Sequence, residues 1–164
     1  TTMKKEKPKA EELRREHILA LDVATLCGYY SVHESGTWNF TEGKHRNDNK
    51  QHLALKNTLT DFIVKYGIRR IVTENVSVNK HFFDMRKLSE FRGVLLCVCD
   101  ELDLPEPEFI NPKALKKFAT GNGNAGKQEM VQAYVQRFGR QPLDDNEADA
   151  AWLYHYYISK YRIN

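Results

Sequence analysis

The sequence predicts an α/β protein: a mixed five-stranded sheet, its first three strands antiparallel and its later strands parallel to the first, flanked by helices. Three observations carry that prediction. Three short runs rich in β-branched and aromatic residues follow one another within the first quarter of the chain. Helical periodicity then alternates with two short apolar runs, and a strand reached through a helix returns parallel to its predecessor. With 164 residues, 41% hydrophobic and 29% charged, the chain has material for one core rather than two.

The elements follow in order. Residues 1–16 interleave Lys4, Lys5, Lys7, Lys9, Arg14 and Arg15 with Glu6, Glu11, Glu12 and Glu16 and have no apolar face. They read as a mobile arm or frayed helix ahead of a single domain over 17–164. HILALDVA (17–24), CGYYSVHE (27–34, after a turn at Thr25 and Leu26) and GTWNFTE (36–42) read as an antiparallel meander. A polar loop from Gly43 to Asn49 precedes Leu53, Leu55, Leu59, Phe62 and Ile63 at helical spacing, with Gly67 as the stop. IRRIVTENV (68–76) is the fourth strand, Asp84 to about Leu102 a helix, and the Pro-bounded EPEFIN (106–111) the fifth strand. Helical stretches follow near Pro112–Phe118, Lys127–Phe138 and Asp145–Tyr161. The order β-β-β-α-β-α-β-α-α-α places the first strand centrally.

Several functional classes are excluded by composition. No stretch approaches the roughly 20 apolar residues that cross a bilayer, and the opening residues lack the apolar core of a secretory signal. No membrane partner and a cytoplasmic setting are therefore expected. Cys27, Cys97 and Cys99 form no C-x-x-C pair and read as buried thiols; with the six histidines scattered, neither zinc nor a disulfide framework is suggested.

The formal net charge of +3 names no partner, but its distribution does. Between Asn111 and Arg140 the cations Lys113, Lys116, Lys117, Lys127, Arg137 and Arg140 face one acid, Glu129; directly afterwards come Asp144, Asp145, Glu147 and Asp149. Either block alone fits a solvated helix face. Together they match a metal-dependent phosphodiesterase, with cations for phosphates and carboxylates for metals.

Strand alternation puts Asp22 on the face of Ile18 and Ala20, and Glu74 on the face of Val72. Asp22 also fits a strand-end turn carboxylate. Glu74, in the middle of IVTENV, has no sequence-near cation on its face, and an unpaired buried carboxylate costs several kcal/mol. Asp144 and Glu147 have capping-box spacing and can be wholly structural. Asp149 lies on the stripe continued by Trp152, Leu153 and Tyr156, so it faces a core or cleft, with Asp145 one turn before it. Carboxylates from two adjacent strands and a C-terminal helix can converge at one end of the sheet, where hard oxygen donors select magnesium or manganese.

ILALDVATLCGYY (18–30), IVTENV (71–76), KKFATGNGNAGK (116–127) and DDNEADAAWL (144–153) resemble, in that order, the four motif regions of the RuvC family of Holliday-junction resolvases, especially its phage-type relatives. The resemblance covers about residues 17 to 160. It implies an RNase H-like fold, a homodimer, a magnesium-dependent endonuclease and four-way DNA junctions as substrate. It carries the family's strand acids onto Asp22 and Glu74, its last helix acid onto Asp149, and its lysines onto Lys116 and Lys127. Lys113 and Lys117 extend the same basic stretch toward DNA. Two positions depart from the pattern. The helix acid expected three residues before Asp149 falls on Asn146, leaving Asp145 as the alternative ligand. The aromatic that many relatives insert into the junction falls on Ser77, with Phe82 and Phe83 as substitutes.

Three rival readings bear on function. Gly121 to Lys127 matches G-x-x-x-x-G-K, but Gln128 replaces the Ser or Thr that would bind magnesium, and a helix rather than a strand precedes it, so no nucleotide cofactor is expected. A non-catalytic junction-binding module, or a nuclease on other branched or RNA-containing substrates, differs from the first reading in metal dependence and substrate rather than in fold.

Overall fold

The computed structural model describes residues 12–41, 43, 47–75 and 82–164, with the side chains of 82–84 left aside. Its sheet runs in the order β3-β2-β1-β4-β5, with β1 at Ile18–Asp22, β2 at Leu26–Tyr30, β3 at Ser35–Asn39, β4 at Arg70–Glu74 and β5 at Glu108–Ile110. β1 pairs antiparallel with β2 and parallel with β4; β2–β3 is antiparallel and β4–β5 parallel, as the element order predicts.

Central placement explains the composition of β1. Ile18 to Leu21 are fully buried because both sheet faces are covered. On one face Leu19, Leu21 and Ile71 pack against Leu55, Leu59 and Phe62 of α1 (Asp48–Tyr66) and Phe91, Leu95 and Val98 of α2 (Phe82–Glu101). On the other, Ile18, Ala20 and Val72 meet α3 (Pro112–Thr120), α4 (Lys127–Phe138) and α5 (Asp145–Lys160) through Leu115, Met130, Tyr134, Ala148, Ala151 and Trp152. Each large side chain buried in this way contributes about 1.5–3 kcal/mol. The Trp152 indole N–H donates to the Met130 carbonyl at 3.1 Å, joining α5 to α4.

Several boundaries differ from the sequence reading. α1 begins at Asp48, inside the expected loop, because the Asn47 side chain accepts the Lys50 N–H and caps it. Its stop at Gly67 (φ 66°) is as expected. β2 starts at Leu26 itself, β3 ends at Asn39, and α3 continues to Thr120, where Gly121 (φ 83°) closes it. Part of the expected arm touches the domain: Leu13 packs on the core, the Arg15 N–H donates to the Asn164 carbonyl at 3.0 Å, and Tyr154 donates to the Arg15 carbonyl. Residues 1–11 lie outside the described residues. Of the three thiols read as buried, Cys27 and Cys99 are; Cys97 is exposed, on the outer side of α2 from Leu95 and Val98.

Candidate active site

The parallel strands β1 and β4 end side by side, with Asp22 and Glu74 as their last residues. Each points to the α5 side by the alternation that buries Ala20 and Val72 there. The first turn of α5 crosses the same end of the sheet. Asp22, Glu74, Asp145, Asn146 and Asp149 therefore line one open cleft of roughly 480 Å³, together with Lys116 of α3 and Lys127 of α4. On the α2 side of the same strand ends, Asp22 and Glu74 also border a pocket of only about 40 Å³, with Asn75, Arg92 and Phe109. That space suits a water molecule or two, so among the described residues the room for a substrate lies on the α5 side.

The four clustered acids of α5 divide by partner. Asp144 is the N-cap, accepting the Glu147 N–H at 2.9 Å and the Thr37 hydroxyl at 2.8 Å on each carboxylate oxygen. Glu147, almost wholly buried, takes the Arg140 guanidinium at 3.4 Å rather than returning a bond to the N-cap. Asp145 and Asp149 remain for the cleft. Lys127 Nζ lies 3.3 Å from Asp145 Oδ2, an exposed pair worth at most about 1 kcal/mol. Asp149 is largely buried, and its carboxyl is pushed up to about 7, first by desolvation and then by the charges of Glu74 and Asp145; Lys127 and Lys116 pull it back only in part.

A site that raises a carboxyl in this way is short of positive charge. Its donors are carboxylate and amide oxygens, and no His or Cys is among the described residues lining the cleft, so the donor set fits a hard divalent cation such as magnesium or manganese. Among the described residues no three acids, histidines or cysteines are drawn together tightly enough to chelate one ion. The donors stand on opposite walls, sheet and helix.

The basic residues separate as well. Lys116 and Lys127 reach the cleft, whereas Lys113 and Lys117 lie on the exposed face of α3 beyond its lining. The glycine-rich stretch joins two helices: Gly121 ends α3 and Gly126 begins α4, with no side chain capping the first turn of α4. Phe82 and Phe83 begin α2, but their side chains, like Ser77, lie outside the described residues. Sequence reasoning did not single out Thr37 or Gly28, and it counted Arg140 only among the cations of the basic stretch. A glycine within a strand pattern is a signal for close backbone approach, and Gly28 carried it.

An open mixed sheet with acids at the ends of its two central strands, facing a helix that carries two more, defines the RNase H-like class of nuclease folds. A family model described as crossover junction endodeoxyribonuclease RuvC matches residues 25–152. The RuvC of Chlamydia trachomatis serovar L2 is 30% identical over 161 residues, covering 88% of this chain and 94% of that protein. That of Brachyspira hyodysenteriae is 26% identical over 146 residues, covering 84% and 89%. Among solved structures, Thermus thermophilus RuvC superposes with a TM-score of 0.69 at 14% identity, covering 88% of this chain and 96% of that one. A yeast mitochondrial Holliday junction resolvase superposes at 0.59 and 13%, covering 93% and 84%. The chain belongs to the RuvC family of crossover junction endodeoxyribonucleases.

Proposed function

We propose that this protein is a magnesium-dependent endonuclease that resolves four-way DNA junctions by paired nicks, acting as a homodimer through one nuclease domain. The observation that carries the reading is a single cleft in which carboxylates from β1, β4 and α5 face Lys116 and Lys127. Substrate class is supported by the names of its relatives, and by a solved complex of T. thermophilus RuvC with a Holliday junction substrate (TM-score 0.68).

Asp22 and Glu74 hold the sheet side of the metal site; Asp149, with Asp145 or Asn146, holds the helix side. Divalent ions bound there, magnesium or in its place manganese, would supply an acidified water and charge compensation at the phosphate. Lys116, Lys127 and the uncapped first-turn N–H groups of α4 bind and orient the DNA backbone. Burial and the charges of Glu74 and Asp145 raise the proton affinity of Asp149, and bound cations would lower it. Lys113 and Lys117 extend the phosphate track. Phe82 and Phe83 stack at the junction centre. Two subunits match the pseudo-two-fold substrate and nick strands of like polarity, leaving 5′-phosphate and 3′-hydroxyl ends.

The test is incubation of purified protein with a labelled four-way junction and a matched linear duplex, with and without magnesium, alongside sedimentation of the same sample. A dimer that binds the junction without metal and cuts it with metal is the expected result. Junction binding without cutting at any metal concentration would make the chain a binding module, and equal cutting of linear duplex would overturn the junction assignment.

A further inference from the structure

We propose that Gly28 and Thr37 are positioning residues that set the helix-borne half of the metal site against its strand-borne half. The inference rests on the nuclease reading above. Backbone pairing aligns Asp22 with Gly28 and Gly28 with Thr37, so one row runs across β1, β2 and β3 and ends at a candidate metal ligand. The first turn of α5 lies on that row.

At Gly28 the approach is closer than any side chain allows. A Cβ there would stand 2.0 Å from the Asn146 carbonyl oxygen and 2.4 Å from its carbon, whereas ordinary contact begins at 3.4 Å. Helix or strand would have to move by about 1.4 Å, and both obstacles are backbone, which cannot rotate away. Gly28 is not among the glycines with positive φ, so what the fold uses is its missing side chain. Ala20, Ala148 and Ala151, all fully buried, continue the small-residue contact between α5 and the sheet.

Thr37 sets the other coordinate. Its hydroxyl lies 2.8 Å from both oxygens of Asp144, the N-cap that precedes Asp145. Gly28 thus fixes how deep the helix sits, and Thr37 fixes where its first turn is held. The same bonds keep Asp144 off the cleft while Arg140 holds Glu147, which leaves Asp145 and Asp149 to face Asp22 and Glu74. Because the donors stand partly on the sheet (β1 and β4) and partly on α5, a shift of the helix changes every sheet-to-helix separation at once.

The experiment compares the full chain with Thr37→Val, Thr37→Ser and Gly28→Ala, reading manganese affinity by calorimetry, junction affinity in EDTA, and cleavage. Thr37→Val keeps the shape and removes the donor; it is expected to weaken manganese binding about tenfold and lower kcat, while Thr37→Ser restores both to within about twofold. Gly28→Ala, where it folds, is expected to lose about a hundredfold in kcat. Junction affinity without metal should stay within about twofold for all three, since Lys116 and Lys127 are untouched. Wild-type manganese affinity in Thr37→Val, with only its melting temperature lowered, would overturn the inference while leaving the nuclease reading intact. A wild-type chain that neither binds manganese nor cuts junctions would overturn both.

Discussion

Replacing Asp149 by Asn should stabilise the metal-free protein while abolishing cleavage. The Asp149 carboxyl rises from an ordinary 3.8 to about 7 in the fold, because it is desolvated and faces Glu74 and Asp145. At about 1.4 kcal/mol for each tenfold change in proton affinity, keeping it ionised at pH 8 costs on the order of 4 kcal/mol relative to the unfolded chain. The sign follows from proton counts. Between about pH 4 and 7 the folded state binds more protons than the unfolded one, so this group's contribution is fully present below pH 4 and is lost as pH rises through 7. An amide never ionises, yet it is a poorer fit than a protonated carboxyl, so about half of the cost should be recovered. About 2 kcal/mol corresponds to roughly 4–8 °C in Tm for a chain of this size. Thermal melts of wild type and Asp149→Asn in EDTA from pH 4 to 8 test this. The variant should melt lower near pH 4, by the amide's poorer fit, and higher toward pH 8, the two curves crossing between. Magnesium should raise the wild-type Tm at pH 8 and the variant's much less. A variant that melts lower at pH 8, or a difference independent of pH, would refute the argument.

Asp22→Asn and Glu74→Gln should each abolish cleavage in the junction assay and leave gel-shift affinity in EDTA unchanged, since neither side chain binds phosphate. Lys116→Ala and Lys127→Ala should weaken junction binding and reduce the log–log salt slope by about one each; an unchanged slope would remove these lysines from the DNA path. In magnesium titrations of cleavage, Asp145→Ala should raise the concentration for half-maximal rate far more than Asn146→Ala, because a carboxylate offsets more of an ion's charge than an amide; the reverse order would make Asn146 the ligand. His155, stacked on Phe138 with ring centroids 4.6 Å apart, is pulled down to about 4 by burial and by Arg137 and Arg15. Its contribution has the opposite sign to that of Asp149: it is present above the ordinary histidine range and lost as pH falls from 6.5 toward 4. His155→Phe should therefore flatten the acid limb of a denaturant-stability profile.

Much of this protein was legible in its sequence, for a local reason. The meander followed by alternating helices and strands specified the strand order, because a short turn permits only antiparallel pairing and a helical crossover returns the chain parallel. Alternation along β1 and β4 put Asp22 and Glu74 on one face, and the stripe through Trp152 and Leu153 turned Asp149 inward. These are properties of periods of two and 3.6 residues, written within a few positions of each residue. What tertiary structure alone decided is which acid does which task. Asp144, Asp145, Glu147 and Asp149 look alike in sequence, yet Thr37, more than a hundred positions earlier, occupies Asp144, and Arg140 occupies Glu147. The loop that brings Lys127 within 3.3 Å of Asp145 and the absent side chain at Gly28 that admits the Asn146 backbone are likewise long-range facts. Hydrogen bonds and steric contacts act over about 3–4 Å of space whatever the separation along the chain, so a side chain's partners are decided only once distant strands and helices have packed.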